Sequence, residues 1–354
     1  MSNLKRRVND GSPEPRLLIV DDSAVARAVL TRMIAAEGRY EVAGAVTDVP
    51  AALAFLARHR VDAIMLDIEL PGVDGLTALP DLIVAGQGAK VLIVSSTCDE
   101  GAAATIRAMT LGAADTLVKP GAGHLAGRFA RALDAKLARL LQDNGDLDQA
   151  PLIPVMPPVG KPDFDIVAIG ASTGGIHAMS HLLRAIPVSF GQPILITQHL
   201  PASFMPYFAA QLAVLAGRPC DVATDHMRIK PGRIIIAPGS GHIHCVAASD
   251  GVAIRLGAEA MPSGCLPSVD PMFETVARVY GKRALAIVLS GMGRDGADGA
   301  RHVAEAGGTV VVQDKGSSVV WGMPGAVVSS GIPHQVMSPE QIGRLIASQR
   351  RPSC

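Results

Sequence analysis

Residues 166–175 read IVAIGASTGG, an apolar run that ends in a Gly-rich turn. That pattern is how a buried strand hands the chain over to a helix. Within it, Gly170-Ala171-Ser172-Thr173-Gly174 fits the G-x-S-x-G elbow. Small neighbours there allow a sharp turn and leave the serine hydroxyl exposed, where a nucleophile belongs. Downstream apolar runs at 194–197, 234–236, 285–289 and 309–312 repeat the rhythm of strand followed by helix. Such alternation predicts a parallel sheet covered by helices on both faces, with ligands at the carboxyl ends of the strands.

The same rhythm occurs earlier. Strand-like runs at 17–20, 63–66, 91–94 and 116–118 end in Asp21-Asp22-Ser23, Asp67, Ser95-Ser96 and Lys119-Pro120. A helical pattern follows over 24–36, and an amphipathic stretch over 124–141 closes the block. Between the blocks, 142–163 (QDNGDLDQAPLIPVMPPVGKPD) is rich in Asp, Gly and Pro and reads as a linker. The expected division is therefore 16–141, linker 142–163, and 164–350. A length of 354 residues suits two domains better than one core.

Composition narrows the partners. Formal net charge is +0, charged residues make up 18 %, and no Lys/Arg run is sustained, so neither nucleic acid nor an anionic membrane is indicated. No apolar run reaches membrane-spanning length, and the basic N-terminal stretch lacks the apolar core of a signal peptide. Five cysteines form no C-x-x-C pair, which suits reduced thiols in a cytoplasmic protein and assigns them no chemistry.

Asp21, Asp22 and Asp67 at one sheet edge form a cluster of like charges that calls for a cation. Oxygen-only ligation favours Mg²⁺, which keeps several waters and leaves room for a phosphoryl oxygen. Asp67 is then the expected phosphate acceptor, with Lys119 as a second cation and Ser95 as a hydroxyl donor. Taken singly, each acid reads as a helix N-cap, but four suitable groups at four successive strand ends do not follow from capping.

The segments VDDS, LDIELPGVDGL, VSS and VKP closely resemble the receiver domain of two-component response regulators over essentially all of 16–141. The resemblance implies a flavodoxin-like fold and phosphotransfer from a sensor histidine kinase to Asp67. It also implies Mg²⁺ held by Asp22, Asp67 and the Glu69 carbonyl, with Asp21 close by. Thr116 departs from the pattern, because many receivers carry an aromatic residue there, so a switch built on rotation of that ring does not carry over.

In the second block Ser172, His199 and Asp295 each follow a strand. A serine hydroxyl needs a base within hydrogen-bond reach, and the base needs a carboxylate to set its tautomer and stabilise its charge. The order Ser, His, Asp differs from that of ordinary α/β-hydrolases. A dinucleotide-binding turn is the rival for 166–175, but the spacing is not G-x-G-x-x-G, and the next strand ends in Gln198-His199, not in the acid that would hold a ribose. The pairs His177/His181 and His242/His244 are assigned no role, and Trp321 reads as core.

The segments IGASTGG, QHLP, APG, PSVD, LSGMGRDGADG and QDKGSSVVWGMPGAV strongly resemble the catalytic domain of the chemotaxis protein-glutamate methylesterases, the CheB family. That resemblance implies a doubly wound parallel α/β domain with Ser172 as nucleophile, His199 as general base and Asp295 as its orienter. The substrates implied are glutamate methyl esters, and selected glutamines, on methyl-accepting chemoreceptors. No cofactor is expected for the esterase step. Leu200 and Ser290 replace commoner Met and Thr. The Met292 amide is the expected oxyanion donor, together with amides of the serine turn. A different class of function, a phosphorylation-controlled module that binds receptors without turnover, is separated from the esterase by Ser172→Ala.

Overall fold

The structure, a computed structural model, describes residues 14–95, 99–119, 126–141 and 163–348. The expected linker lies outside the described residues except for Asp163. Contacts divide the chain into two units, Met1–Asp143 and Asn144–Cys354.

The first unit runs β1 (Arg16–Val20), α1 (Ala24–Glu37), β2 (Glu41–Val46), α2 (Val49–Leu56), β3 (Ala63–Leu66), α3 (Gly75–Gly86), β4 (Lys90–Ser95), α4 (Asp99–Leu111), β5 (Asp115–Val118) and α5 (Ala126–Leu141). The strand order is β2-β1-β3-β4-β5, all parallel. This is the flavodoxin-like order, in which the chain reverses direction across the sheet beside β1 and opens a crevice over the strand ends. Strands β1 and β3 are buried almost throughout because helices cover both faces, so their sequences LLIV and AIML are continuously apolar. Short side chains stop the strands cleanly: Ser23, Asp48 and Asp74 cap α1, α2 and α3 through their side-chain oxygens.

The second unit runs β6 (Ile166–Ala171), α6 (Gly175–Arg184), β7 (Ile194–Gln198), α7 (Met205–Ala216), β8 (Cys220–Val222), β9 (Ile234–Ile236), β10 (His242–Ala248), β11 (Gly251–Gly257), α8 (Val269–Tyr280), β12 (Ala284–Val288), α9 (Ala297–Glu305), β13 (Thr309–Gln313), α10 (Gly322–Ser329), β14 (Gln335–Met337) and α11 (Pro339–Ala347). Seven strands lie in the order β14-β13-β12-β6-β7-β9-β8, and β10 and β11 form a separate hairpin. The sheet is parallel throughout. The chain winds outward from β6 through β7 and later returns to the other side of β6 as β12. Loops that follow β6 and β12 therefore part, which is where an open α/β sheet collects its ligands.

The hairpin was not anticipated. His242, whose alternation with His244 suits a strand or the approach to one while the Pro-Gly turns around it suit a loop, lies in β10, and the turn before Gly251 (φ 130°) closes the hairpin. Its inner face packs on α8, where Thr275 Oγ1 accepts the Cys245 amide at 2.9 Å. The hairpin thus supports α8, the helix that carries part of the site described next.

Candidate functional site

Ser172 follows β6 and His199 follows β7, and these strands pair with Ala171 opposite Gln198. The two residues are thereby brought to adjacent strand ends. The His199 amide donates to the Ala171 carbonyl at 3.0 Å, which ties the end of one strand to the other. His199 Nε2 lies 2.7 Å from Asp295 Oδ2. Among the described residues the Ser172 hydroxyl makes no hydrogen bond, so the structure joins the histidine to the carboxylate and leaves the serine–histidine contact open. Catalytic hydrogen bonds of this kind are often long before substrate arrives.

Asp295 is buried, at 1 % exposure, and is held on every side. Ser268 Oγ donates to Oδ1 at 2.5 Å, and the Val269 amide donates to Oδ2 at 2.8 Å. Val269 is the first residue of α8, so the helix's positive end also favours the charge. Burial works against ionisation of Asp295, but the bonds from His199, Ser268 and Val269 overcome it and hold the group at about 2. Burial and the neighbouring Asp295 push Asp270 up to about 7, so Asp295 is the carboxyl of this pair that keeps its charge. For His199, burial disfavours the charged ring, yet the bond to Asp295 and the nearby Cys265 raise it to about 9.

Ser268 and His242 are residues that motif reading passed over. The Ser268 amide donates to His242 Nδ1 at 2.8 Å, and the other ring nitrogen faces the Glu259 carbonyl at 2.9 Å. A backbone amide can only donate and a carbonyl can only accept, so His242 is the neutral Nε2–H tautomer. The ring is fully buried and braces the turn that offers Ser268 to Asp295. The PSVD segment containing Ser268 was visible in the sequence, but nothing local linked it to a carboxylate 27 residues away.

The serine turn is held from below. Ser172 donates its amide to the Ser290 carbonyl at 3.0 Å, and its own carbonyl accepts Gln198 Nε2 at 2.9 Å. Ser290 Oγ donates to the Thr173 carbonyl at 2.8 Å, while its amide donates to Gln313 Oε1 at 2.7 Å. Trp321, expected in the core, is half-buried and donates its indole N–H to the Gln313 carbonyl at 2.9 Å. Gly291 must be glycine: a Cβ there would stand 2.8 Å from Ser172 Cβ. Met292, the expected oxyanion donor, follows Gly291 in this turn. His177 and His181 stack edge to face at 4.6 Å on α6, and His181 pairs with Glu340, so neither joins the site.

In the first unit, Asp21, Asp22 and Asp67 present carboxylate oxygens within 4.8 Å of one another. Lys119 Nζ lies 2.5 Å from Asp67 Oδ2 and 2.9 Å from Asp21 Oδ2. Asp21 Oδ2 is buried, with Lys119 as its ion-pair partner. Burial, the largest effect, pushes Asp67 above the usual carboxylate range against the pull of Lys119. Burial opposes the Lys119 charge too, but Asp67 and Asp21 raise it. An oxygen-only set of three carboxylates crowded at one strand edge fits a hard divalent cation. The Glu69 amide donates to Asp67 Oδ1 at 3.3 Å. The Ser95 side chain lies outside the described residues, although its backbone ends β4. Thr116, at the position of the missing aromatic, is buried, and its hydroxyl has no hydrogen-bond partner.

Fold and sites together define a response regulator receiver joined to a methylesterase domain. The sequence model of the response regulator receiver domain matches residues 17–127, and that of the CheB methylesterase matches 167–346. The chain belongs to the CheB methylesterase family. It is 39 % identical over 348 residues to the "Protein-glutamate methylesterase/protein-glutamine glutaminase 2" of Caulobacter vibrioides, covering 95 % of this chain and 99 % of that one. A corresponding protein of Paramagnetospirillum magneticum is 39 % identical over 357 residues, covering 91 % and 93 %. The crystal structure of the Thermotoga maritima CheB methylesterase catalytic domain is 32 % identical and covers 52 % of this chain and 98 % of its own, with a TM-score of 0.49.

Proposed function

We propose that this chain hydrolyses glutamate methyl esters, and deamidates selected glutamines, on methyl-accepting chemoreceptors, and that phosphotransfer from a sensor histidine kinase to Asp67 raises that activity. The reading places the protein in the cytoplasm, facing the receptors' soluble parts. The observation that carries it is the His199–Asp295 hydrogen bond at 2.7 Å beside the Ser172 elbow.

In this mechanism Ser172 Oγ attacks the ester carbonyl and His199 takes its proton. Nε2 is engaged by Asp295, so Nδ1 is the nitrogen that serves as base. Asp295 then stabilises the imidazolium, which returns its proton to the departing methanol. Water repeats the cycle on the acyl-enzyme and frees the glutamate carboxylate. With a glutamine, ammonia leaves in place of methanol. A positioned base contributes about 10²–10⁴-fold. Amides of the Ser172 turn and of Met292 are the candidate donors to the oxyanion.

In the receiver, Asp22, Asp67 and the Glu69 carbonyl, with Asp21 adjacent, would hold Mg²⁺. When bound, the ion neutralises charge on the phosphoryl oxygens and on the clustered carboxylates. Lys119 holds Asp67 in place, and Ser95 is the expected hydroxyl partner of the phosphoryl group. New charge on Asp67 gives the receiver a different surface, the kind of local event that biases a two-state element.

The test is methanol release from methylated receptor by wild type and Ser172→Ala, each with and without a small-molecule phosphodonor and Mg²⁺. Release that rises with phosphodonor and vanishes in the variant is expected. Release undiminished in Ser172→Ala overturns the esterase assignment. Signalling that survives in that variant without any release identifies the non-catalytic binding module instead.

A further inference from the structure

The second ring nitrogen of His199 faces a thiol. Cys265 Sγ stands 3.9 Å from His199 Nδ1, within sulfur hydrogen-bond range, while Nε2 is taken by Asp295. The three residues offer ligand-type atoms that all lie within 4.8 Å of one another. Thiol, imidazole and carboxylate in that order are the nucleophile, base and orienter of a thiol hydrolase, with the ring shared between Cys265 and Ser172.

This arrangement is built, not incidental. Three residues past Cys265, Ser268 Oγ binds Asp295 Oδ1, and the next amide, Val269, binds Oδ2. The loop that carries the thiol is therefore pinned to the carboxylate that orients the base. Cys265 is partly exposed and flanked by exposed Gly264 and Leu266, so small reagents reach it. Burial pushes the thiols of Cys220 and Cys245 up to about 12, which leaves those two inert.

We propose that Cys265 is a His199-activated thiol that hydroperoxides oxidise, and that its oxidation shuts the esterase site. The shut-off half rests on the reading of His199 as the base for Ser172. The chemistry balances as follows. Cys265 gives its proton to His199, and the thiolate sulfur attacks one peroxide oxygen. An S–O bond forms and the O–O bond breaks, so sulfur loses two electrons and the peroxide gains them. The departing hydroxide or alkoxide takes the proton back from the His199 imidazolium and leaves as water or alcohol. The sulfenic acid then occupies Nδ1, the nitrogen that Ser172 needs. Two equivalents of a small thiol reverse it, releasing water and a disulfide and restoring the Cys265 thiol.

The experiment uses the full chain as wild type, Cys265→Ala, His199→Gln and His199→Ala. Iodoacetamide labelling is followed by peptide mapping at each cysteine, with glutathione as the free-thiol standard. Methanol release is measured before and after hydrogen peroxide, each protein against its own untreated sample, and again after dithiothreitol. Cys265 is expected to label at least about tenfold faster than glutathione, and both His199 variants to lose that advantage. Peroxide is expected to cut wild-type release at least about tenfold, reversibly, and to spare Cys265→Ala. Labelling no faster than glutathione, or unaffected by either His199 variant, overturns the proposal. So does equal loss of release in Cys265→Ala. If wild type releases no methanol at all, the esterase reading fails on its own, and the labelling rates still decide whether His199 activates the thiol.

Discussion

Ser268 donates its hydroxyl to Asp295 Oδ1 at 2.5 Å, and both side chains are buried away from water. No solvent can replace that donor, so removing it takes a hydrogen bond from a buried carboxylate. Ser268→Ala is expected to cost about 1–3 kcal/mol of stability, because a buried acceptor loses a donor. Turnover should fall about tenfold with KM little changed, since Asp295 acts on the base and not on the substrate. Denaturant unfolding and methanol-release kinetics check both numbers. A variant with wild-type turnover would remove Ser268 from the positioning of Asp295.

Turnover should rise with pH through the range set by His199. The ring is held at about 9 by Asp295 and Cys265, against burial, and the base must be neutral to take a proton. The rate of methanol release against pH is therefore expected to climb from neutrality until the ring is deprotonated. Cys265→Ala removes one of the two raising groups and should move that climb to lower pH. Stability moves oppositely. The His199 contribution is full below the unfolded value of 6.5 and is lost as pH rises through about 9. The Asp295 contribution is present above 3.8 and is lost as pH falls through about 2. A rate profile flat from pH 7 to 10, on the order of three units, would show that His199 is not the titrating base.

Gly291→Ala tests the seat of the serine. A Cβ at Gly291 would stand 2.3 Å from Met323 Sδ, 2.8 Å from Ser172 Cβ and 3.1 Å from the Ser172 amide nitrogen, so the Met323 side chain and the serine turn must both shift. Displacing a nucleophile by about 1 Å costs on the order of 10²-fold in rate. Turnover should drop by that amount while thermal unfolding shows the fold retained. Normal turnover in a folded Gly291→Ala would place Ser172 away from the reaction.

How much of this was legible differs by kind of contact. Strands β1, β3, β6 and β7 are continuously apolar runs ended by polar residues, so period and punctuation located them together with Asp21, Asp67, Ser172 and His199. Ser268, His242, Gln313 and Cys265 were not legible as site residues. Each acts across a long sequence separation, as when Ser290 N–H reaches Gln313 Oε1 over 23 residues, and the pairing exists only after the sheet has formed. Strand β2 was missed because EVAGAV is a half-exposed edge whose apolar residues are small. The β10–β11 hairpin was missed for another reason. Its Ser249-Asp250-Gly251 turn is a recognisable hairpin signal, but Pro231-Gly232 and Pro238-Gly239 just upstream suit a loop equally well. Cys265 looks like any free thiol in sequence, and only the fold puts His199 next to it.

The acid pocket makes the last prediction. Lys119 Nζ lies 2.5 Å from Asp67 and 2.9 Å from Asp21, a single ammonium between two of three clustered carboxylates among the described residues. A second, divalent cation relieves that imbalance, so Mg²⁺ should raise the melting temperature of the wild-type chain. Stabilisation follows the ligand concentration relative to its Kd, reaching about 2.7 kcal/mol at a hundredfold excess. Asp22→Ala and Asp67→Asn each remove a ligand oxygen's charge and should abolish most of the Mg²⁺-dependent shift. Their effects on phosphorylation separate. Asp67→Asn has no carboxylate to phosphorylate and should take up no label from a radiolabelled phosphodonor. Asp22→Ala keeps the acceptor and should label slowly, with partial recovery at high Mg²⁺. Chelation with EDTA should stop labelling of wild type while basal methanol release continues, because the esterase residues use no metal in the proposed mechanism. Label appearing in Asp67→Asn would move the phosphorylation site elsewhere, and an Mg²⁺ shift unchanged in both variants would take the ion away from this pocket.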